Sequence, residues 1–518
     1  MNGVGLEAAE KIRDTQRVPI AYPILHADEA AALMATGSVI ACGGFTPAGA
    51  PKAITRALAQ RARREHAAGR RFDVSIISGS STGPSVDGEL ARADALAFRA
   101  PYQASADVRA AINSGRTRFI DMDLSEVPRA ARRGIFGTIA WAILEASSIA
   151  TDGSGEIVLT SGVGAAQTYA RLAGRVLIEL NARHPAGLRG IHDIAELADP
   201  PDAQPVAIAA PSDRIGQAVV RIDPAKIAGV VATELDDEMY PFEEPSALNL
   251  KIGQNTADFI AGELRRGAIP AAMLPVQAGI GDVANAVLLA LGAQRSIPDF
   301  SMYAEVIQST ALRLIRDGRV RFASGSALTV APSVLREVYA ELAFFRPRIV
   351  LRPQELSNCG EVIRRLGVIA INTALEFDLF GNVNSTHTLG RNIVNGIGGS
   401  GDFARNAHLS IFTCPSTARD QCISRIVPMV SYTEHTEHAV HVVVTEHGVA
   451  DLRGKCPRDR AAAIIEHCAH PDYRPLLRDY VKLSAQGPGG QTPHTLHAAF
   501  AFHEAFRSSG DMRKARFV

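Results

Sequence analysis

The stretch Ser38-Val-Ile-Ala-Cys-Gly-Gly-Phe-Thr-Pro-Ala-Gly-Ala-Pro51 shows the pattern that decides the fold: a short apolar run, a glycine-rich turn, and a helical pattern from about Lys52. Three other short apolar runs alternate with amphipathic stretches in the same way, at Val74–Ile77, Ile157–Leu159 and Ala228–Ala232. This alternation is typical of parallel sheets that carry helices on both faces. The sequence therefore predicts the α/β class, with open and mainly parallel sheets.

The length of the chain predicts two tandem α/β domains. At 518 residues it is too long for one ordinary core and long enough for two domains of roughly 200 to 250 residues. Between His192 and about Arg221 the chain becomes rich in Pro, Asp and Ala, most clearly at Ala198–Pro205. We place the boundary there, which gives an N-terminal domain over residues 1–215 and a C-terminal domain over residues 216–518.

Composition and charge are those of a globular protein without a charged partner. Hydrophobic residues make up 47% and charged residues 21%, and 54 basic side chains balance 54 acidic ones. Such a balance gives no electrostatic footprint for nucleic acid. The N-terminus lacks the apolar core of a signal peptide, and no segment approaches about 18 consecutive apolar residues. We therefore expect a cytoplasmic protein with neither a nucleic-acid nor a membrane partner.

Cysteine and histidine spacing does not favour a metal site or a disulfide framework. The six cysteines are scattered without a C-x-x-C pair. Four histidines lie close together in sequence, at His435, His438, His441 and His447. The run continues into the β-branched segment Val442–Thr445, where successive side chains alternate between the two faces of a strand and cannot converge as they do on a helix. We predict no metal.

A glutamate stands inside an apolar run at Asp299-Phe-Ser-Met-Tyr-Ala-Glu305-Val-Ile-Gln308. Such a run rarely carries an ionisable group without a reason. Desolvation raises the pKa of a carboxyl group and makes its carboxylate a better nucleophile, so this placement suits covalent chemistry as well as proton transfer. The alternative is that Glu305 lies at the end of a strand with its carboxylate in water.

Two further glycine-rich loops could approach a ligand closely. Gln277–Asn285 resembles the start of G-x-G-x-x-G but lacks the last glycine, which disfavours a dinucleotide site. Asn395–Phe403 has four glycines in six residues and could present backbone N–H groups as a nest, with a tight strand-to-helix turn as the alternative. No Gly-Lys-Ser/Thr follows it, so it is not a P-loop. Together, a nucleophilic carboxylate and backbone donors are compatible with acyl transfer without requiring it.

Several longer motifs, in order along the chain, identify a family resemblance that runs from about Gly43 to Arg460. The chain resembles the acetyl-CoA hydrolase/transferase family of class I CoA-transferases, and most closely its succinyl-CoA:acetate (or propionyl-CoA:succinate) CoA-transferase branch. The resemblance implies an active site at the domain interface. The motifs that carry it are Ser80–Ser85, Gly279–Val287, Ser301–Val306, Gly381–Thr386, Asn395–Phe403 and Val444–Gly454.

The resemblance implies a role for individual residues. Glu305, in the C-terminal domain, corresponds to the catalytic glutamate that attacks the acyl-CoA carbonyl and becomes a glutamyl-CoA thioester. The Asn358 side-chain amide and the Gly399 backbone N–H correspond to the oxyanion donors. Arg419 stands where the family pattern leads us to expect a lysine, and arginine keeps the charge but changes the geometry of a phosphate contact. The implied CoA-binding residues are Gln277, Ala278, Gly279, Ile280, Gly281, Asn395, Gly399, Arg419 and Glu446.

The activity that the resemblance implies is a ping-pong transfer of CoA from succinyl-CoA to acetate, giving acetyl-CoA and succinate. CoA is then a substrate, so no cofactor is expected, and the partners are acyl-CoA, small carboxylic acids and a second copy of the chain in a homodimer. Alternatives are an acetyl-CoA hydrolase and a CoA-transferase for propionate, butyrate or 4-hydroxybutyrate. A catalytically silent CoA- or nucleotide-binding protein is disfavoured because Glu305 and the Gly396–Gly401 loop are intact.

Overall fold

The computed structural model describes residues 21–239, 244–486 and 490–517. Contacts between Cα atoms divide the chain into two compact units, each discontinuous in sequence. The first unit comprises the described part of Met1–Pro241 with Tyr303–Leu312 and Phe322–Val362. The second comprises the described parts of the remainder. The predicted domain boundary at residues 215 and 216 and the predicted interface site stay predictions; the contact-based units are drawn differently, since two later segments return to the first unit.

The described residues form 26 strands. In chain order these are β1 Val39–Cys42, β2 Val74–Ser78, β3 Leu96–Ala100, β4 Arg118–Phe119, β5 Ile139–Ile149, β6 Glu156–Leu159, β7 Arg175–Asn181, β8 Val220–Arg221, β9 Ile227–Thr233, β10 Val276–Ala278, β11 Phe300–Tyr303, β12 Val306–Gln308, β13 Val320–Gly325, β14 Ala327–Thr329, β15 Ile349–Leu351, β16 Ile369–Thr373, β17 Glu376–Asp378, β18 Val383–Asn384, β19 His387–Thr388, β20 Asn392–Ile393, β21 Leu409–Thr413, β22 Thr417–Ala418, β23 Ile423–Ser424, β24 Ile426–Val427, β25 Val442–Thr445 and β26 Gly448–Asp451.

The α-helices of the described residues vary from single turns to 19 residues. They are α1 Ala27–Ala32, α2 Ala53–Ala67, α3 Glu89–Arg92, α4 Ala106–Asn113, α5 Glu126–Arg132, α6 Ala166–Leu172, α7 Ala247–Arg265, α8 Asp282–Ala293, α9 Ser309–Arg316, α10 Pro332–Ala340, α11 Leu342–Phe345, α12 Gln354–Ser357, α13 Gly360–Leu366, α14 Ser400–Asn406, α15 Pro457–His467, α16 Arg474–Ala485 and α17 Ala501–Ser509. Within the described ranges, none is both long and apolar enough to cross a membrane.

The first unit is built on a sheet in which strands β4-β3-β2-β1-β5 follow one another, all parallel. β7 adds in parallel to β5 and β9 adds in parallel to β7, whereas β6 and β8 add antiparallel at the side of β5. The four apolar runs expected to be strands are β1, β2, β6 and β9. The prediction of an α/β fold with mainly parallel sheets is confirmed.

Helix α2 shows why these elements pack together in the first unit. Its apolar positions Ile54, Ala57 and Leu58 lie on one side, as the helical period requires, and they are buried with Ile40 and Ile76 of the sheet. Strands that are buried on both faces lack the alternation of a half-exposed sheet. The glycine-rich turn of the opening stretch therefore joins two buried elements.

The second unit contains its own parallel sheet, in the order β11-β10-β16-β21-β25, with β26 antiparallel at the end. β25 is the β-branched run that follows the histidine-rich segment, so its prediction as a strand is confirmed. Helices α15 to α17 close a core around Phe377, Phe412 and Phe502. The carboxyl ends of β10 and β25 lead into two of the predicted CoA-binding segments.

Candidate active site

Glu305 lies at a bend in the chain between β11 and β12. The flanking residues Ala304 and Val306 are buried, as expected for an apolar run, but Glu305 itself is only partly buried. Its backbone carbonyl accepts a hydrogen bond from the Ser326 N–H at 2.7 Å, and the Ala304 N–H donates to the Ser324 carbonyl at 2.9 Å. The carboxylate is therefore carried by a fixed main chain at the edge of a buried run, between the two alternatives that the sequence left open.

Gly325 explains why the chain can break at this point. It lies between β13 and β14, and β14 pairs in parallel with β12, placing Ala327 opposite Val306. A side chain on Gly325 would place its Cβ 3.1 Å from Ile307 Cγ1 and 3.4 Å from the Glu305 carbonyl oxygen. Glycine thus allows the two backbones to approach closely at the nucleophile position.

Asn358 follows the short helix α12 in the same unit and is fully buried. The Ser357 hydroxyl donates to Asn358 Oδ1 at 2.7 Å, which leaves the amide nitrogen as the donor end of the side chain. The Tyr303 hydroxyl donates to the Leu356 carbonyl. This bond joins a residue two positions before Glu305 to a residue two positions before Asn358, so the segments that carry both side chains are tied together.

Helix α12 is held in place by a second group of contacts, centred on Arg132. Its guanidinium bonds both oxygens of Glu355, at 2.9 and 2.7 Å, and both oxygens of Asp199, at 2.8 and 2.9 Å. Burial raises the pKa of the Glu355 carboxyl, against the effect of Arg132. The hydrogen bond from Arg132 lowers the pKa of Asp199. The Pro-rich segment that contains Asp199 is thus anchored to the helix that precedes Asn358.

In the second unit, Gly399 is the residue immediately before helix α14. The loop from Asn395 is a tight turn between β20 and α14, in which Gly398 adopts φ +60°. The Ser400 hydroxyl lies 2.6 Å from the Ile397 carbonyl oxygen and 3.0 Å from His435 Nε2. Because the single hydroxyl proton goes to the carbonyl, His435 Nε2 is the donor to Ser400. These bonds fix the turn that orients the Gly399 N–H.

His435 is buried and neutral. Burial, with a smaller effect of Arg405, lowers the pKa of His435 to about 3. Its backbone bonds Val383 in both directions, and its ring packs 4.8 Å from the ring of Phe412. The histidine is therefore a rigid neutral donor beneath the glycine loop.

The predicted CoA-binding loop Gln277–Gly281 connects β10 with α8. Gln277 is fully buried, and its side chain bonds Asn372 Oδ1 at 3.3 Å and the Ile371 N–H at 3.2 Å. At the other end of the loop, Ile280 is 42% exposed. Gln277 thus holds the neighbouring strand β16, while residues after Ala278 are the part of the loop that reaches the surface.

Glu446 and Arg419 lie on neighbouring loops of the second unit. Glu446 follows β25, and its carboxylate accepts the Ser416 N–H at 2.8 Å and the Ser416 hydroxyl. Ser416 leads into the hairpin of β22 and β23, whose turn carries Arg419 exposed and with φ +48°. The Arg419 guanidinium lies 5.6 Å over the ring of Phe506. Asn395, at the start of the Gly399 turn, is partly buried.

Family comparison can now be set beside this geometry. Residues 11–232 match the acetyl-CoA hydrolase/transferase N-terminal domain, and residues 335–481 match the acetyl-CoA hydrolase/transferase C-terminal domain. The chain belongs to the acetyl-CoA hydrolase/transferase family. The resemblance predicted from the motifs is confirmed.

Within the acetyl-CoA hydrolase/transferase family, two bacterial transferases are similar over nearly the whole chain. The propanoyl-CoA:succinate CoA transferase of Escherichia coli K12 is 44% identical, over 94% of this chain and 98% of that protein. The succinyl-CoA:acetate CoA-transferase of Clostridium kluyveri is 43% identical, over 95% and 90%. The acetyl-CoA hydrolase of Schizosaccharomyces pombe is 37% identical, over 92% and 93%.

Solved structures support the fold assignment. RipA from Yersinia pestis superimposes with a TM-score of 0.70 at 23% identity, covering 89% of this chain and 98% of that one. The 4-hydroxybutyrate CoA-transferase of Porphyromonas gingivalis gives a TM-score of 0.59 at 24% identity, covering 89% and 97%. Both likenesses concern the fold alone.

Sequence reasoning missed the residues that hold the predicted site residues in place. Arg132 with Glu355 and Asp199, and Ser400 with His435, were not singled out as partners. Their contacts join residues far apart in the chain, and no spacing rule connects them. The only local signal was Ser400 directly after the predicted donor Gly399.

Proposed function

We propose that the protein is a CoA-transferase that moves CoA from succinyl-CoA to acetate through a glutamyl-CoA thioester on Glu305. The observation that carries the proposal is the break at Glu305, which holds a partly buried carboxylate on a fixed main chain. The Tyr303 to Leu356 bond ties this segment to the one that carries Asn358. The similarity to two CoA-transferases at 43 to 44% identity supports CoA transfer as the reaction.

The first half of the mechanism transfers CoA to the enzyme. A Glu305 carboxylate oxygen attacks the thioester carbonyl carbon of the donor, and the CoA thiolate leaves as an acyl-glutamyl anhydride forms. The thiolate then attacks the Glu305 Cδ carbon and expels the donor acid as its carboxylate. The product is a glutamyl-CoA thioester, and no net proton transfer or metal is required.

The second half reverses these steps with the acceptor. The acetate carboxylate attacks the glutamyl Cδ carbon and releases CoA thiolate, which attacks the acetyl carbonyl of the new anhydride. Acetyl-CoA leaves and the Glu305 carboxylate is restored. Each tetrahedral oxyanion would be stabilised by the Asn358 amide and the Gly399 N–H, at about 3 to 4 kcal/mol per donor. One thioester replaces another, so the overall equilibrium is nearly balanced.

CoA binding is assigned in the same proposal to the surface part of the Gln277–Gly281 loop, to Asn395 and Gly399, and to Arg419 and Glu446. The phosphates of CoA would be met by the exposed Arg419 guanidinium, which can bond phosphate oxygens in a bidentate manner. We also propose a cytoplasmic homodimer. Light scattering during size-exclusion chromatography tests the dimer through its mass of two chains.

The experiment that tests the function mixes the protein with succinyl-CoA and measures its intact mass, with borohydride reduction and peptide mapping to locate a thioester. Release of free thiol is followed with and without acetate. An adduct on Glu305, and acetyl-CoA formed only with acetate, is the expected result. Steady thiol release that ignores acetate would instead indicate an acetyl-CoA hydrolase, the activity named for the 37% identical relative.

Glu305→Gln supplies the sharpest variant. We expect it to lower CoA transfer by at least about 1,000-fold, because an amide is not a nucleophile toward a thioester, with an unchanged thermal midpoint. The matched control is Asp299→Asn, which removes an exposed carboxylate from the same stretch and should keep transfer within two-fold. Retained turnover in Glu305→Gln would contradict the mechanism.

A further inference from the structure

A cluster of charged side chains is completely buried in the first unit, around Lys52. The Lys52 Nζ lies 2.6 Å from Glu145 Oε1 and 3.0 Å from Asp237 Oδ1, and none of the three side chains is more than 1% exposed. The ammonium also donates to the Ala50 carbonyl at 2.9 Å. Burial alone would lower the pKa of Lys52, but the two carboxylates outweigh it and raise the pKa. The lysine is therefore charged inside the protein.

The cluster does not need a metal ion. Ligand atoms of Glu145, His184 and Asp237 lie within 4.8 Å of one another, a geometry that could suit a metal. The Lys52 ammonium, however, already bonds both carboxylates and supplies the positive charge. Burial alone would raise the pKa of Asp237, but Lys52 lowers it below its ordinary value. Burying three charges is costly, so their arrangement calls for a purpose beyond stability.

The two carboxylates anchor the loop that follows β6. Asp237 accepts a hydrogen bond from the Ser161 hydroxyl, and Glu145 Oε2 accepts one from the Thr160 hydroxyl at 2.8 Å. Asp237 also accepts the Gly49 N–H at 3.4 Å. The ion cluster thus fixes two consecutive residues of this loop and the glycine-rich loop before Lys52.

From this loop, backbone hydrogen bonds continue to the nucleophile position. The Leu328 N–H donates to the Ser161 carbonyl at 2.8 Å, and the Val163 N–H donates to the Ser326 carbonyl at 2.9 Å. The Ser326 N–H in turn donates to the Glu305 carbonyl at 2.7 Å. A continuous path of hydrogen bonds and short covalent steps therefore joins the Lys52 cluster to the main chain of Glu305.

We propose that Lys52, Glu145 and Asp237 are positioning residues, which hold the Glu305 main chain in its reactive place through Thr160 and Ser161. The cluster acts as a rigid base built from an internal cation rather than a bound one. The inference rests on the proposed function only in taking Glu305 as the reacting group.

Ser161→Ala tests the inference, because it removes the bond between the cluster and the loop while Lys52 keeps both carboxylates. We expect kcat for CoA transfer to fall about ten-fold while KM for succinyl-CoA stays within two-fold. The matched control is Ser147→Ala, another buried serine of the same unit, whose hydroxyl lies 3.2 Å from the carbonyl oxygens of Val158 and Leu159. It should keep kcat within two-fold even where its thermal midpoint falls equally.

Hydrogen exchange of the peptide covering Ser324–Thr329 separates this inference from the proposed function. If the unaltered protein forms no Glu305 adduct, the proposed function fails, and exchange alone decides: faster exchange in Ser161→Ala than in Ser147→Ala supports the positioning path. Equal exchange in the two variants overturns it. With an active protein, an unchanged kcat in Ser161→Ala, or an equal loss in both variants, also overturns it.

Discussion

The two glycine-rich loops of the molecule are held by different chemistry. The loop Gly43–Pro51 of the first unit ends at Lys52, whose ammonium lies between two buried carboxylates. The loop Asn395–Phe403 of the second unit is held by the neutral Ser400 and His435. A buried ion left without its partner costs about 3 to 5 kcal/mol, whereas a lost neutral hydrogen bond costs about 1 kcal/mol. The same mechanical task therefore carries very different sensitivity to mutation.

A third carboxylate extends the charged anchoring of the first loop. Glu179 accepts the backbone N–H groups of Lys52, Ala53 and Ile54, at 2.7, 3.1 and 2.7 Å. These donors form the first turn of α2, where the helix dipole also favours a negative charge. The second loop leads into α14 without such a carboxylate bond among the described contacts of its first turn.

The largest expected effect is that of Lys52→Met. It leaves Glu145 and Asp237 buried without a counter-charge, so we expect a loss of about 3 to 5 kcal/mol in the free energy of unfolding. Thermal unfolding followed by circular dichroism measures it. Lys226→Met, which removes a lysine near the surface that bonds only the Arg171 carbonyl among the described contacts, is the control and should lose under about 1 kcal/mol. Equal midpoints for the two variants would contradict charge anchoring.

Ser400→Ala should have a smaller effect, confined to activity. It removes one neutral hydroxyl from the turn before Gly399, and about 1 kcal/mol of lost positioning corresponds to roughly a five-fold lower kcat. Steady-state kinetics measure this effect. Ser424→Ala, which removes a buried hydroxyl bonded to the Ile426 carbonyl in the same unit, should leave kcat unchanged. A similar kcat for both variants would show that the Ser400 bond does not position Gly399.

The smallest expected effect is a pH dependence in the second loop. Between the pKa of about 3 for folded His435 and its ordinary value of about 6.5, the unfolded chain binds a proton that the folded chain does not. This contribution to stability is thus complete above pH 6.5 and is lost as the pH falls, at about 1.4 kcal/mol per unit. We expect the thermal midpoint to fall more between pH 7 and pH 5 in the unaltered protein than in His435→Gln. Parallel falls would exclude His435 as the titrating group.

Local patterns in the sequence were enough to predict β1, β2, β6 and β9, because hydrophobic periodicity is a property of neighbouring residues. They were not enough for the break at Glu305, which depends on Gly325 and β14, some 20 residues later in the chain. A single strand was the natural expectation for this apolar run.

The anchoring groups were beyond prediction for a related reason. Lys52 meets Glu145 and Asp237 only after the sheet has brought distant strands and loops together, and the same holds for Arg132 with Glu355. Motif resemblance supplied Glu305, Asn358 and Gly399, since each stands in a characteristic string. Residues that act through others carry no such string, and contacts in the folded chain were needed to find them.

The discontinuous first unit has a consequence for synthesis on the ribosome. Strands β12, β14 and β15, which complete this unit, leave the ribosome up to about 120 residues after Pro241. At about 5 to 20 residues per second, the delay is roughly 6 to 24 s. During that interval the Ser161 carbonyl and the Val163 N–H have no strand to bond, so the nascent N-terminal half presents an unpaired backbone edge. Chaperone demand should therefore be greatest in the interval before residue 362 emerges.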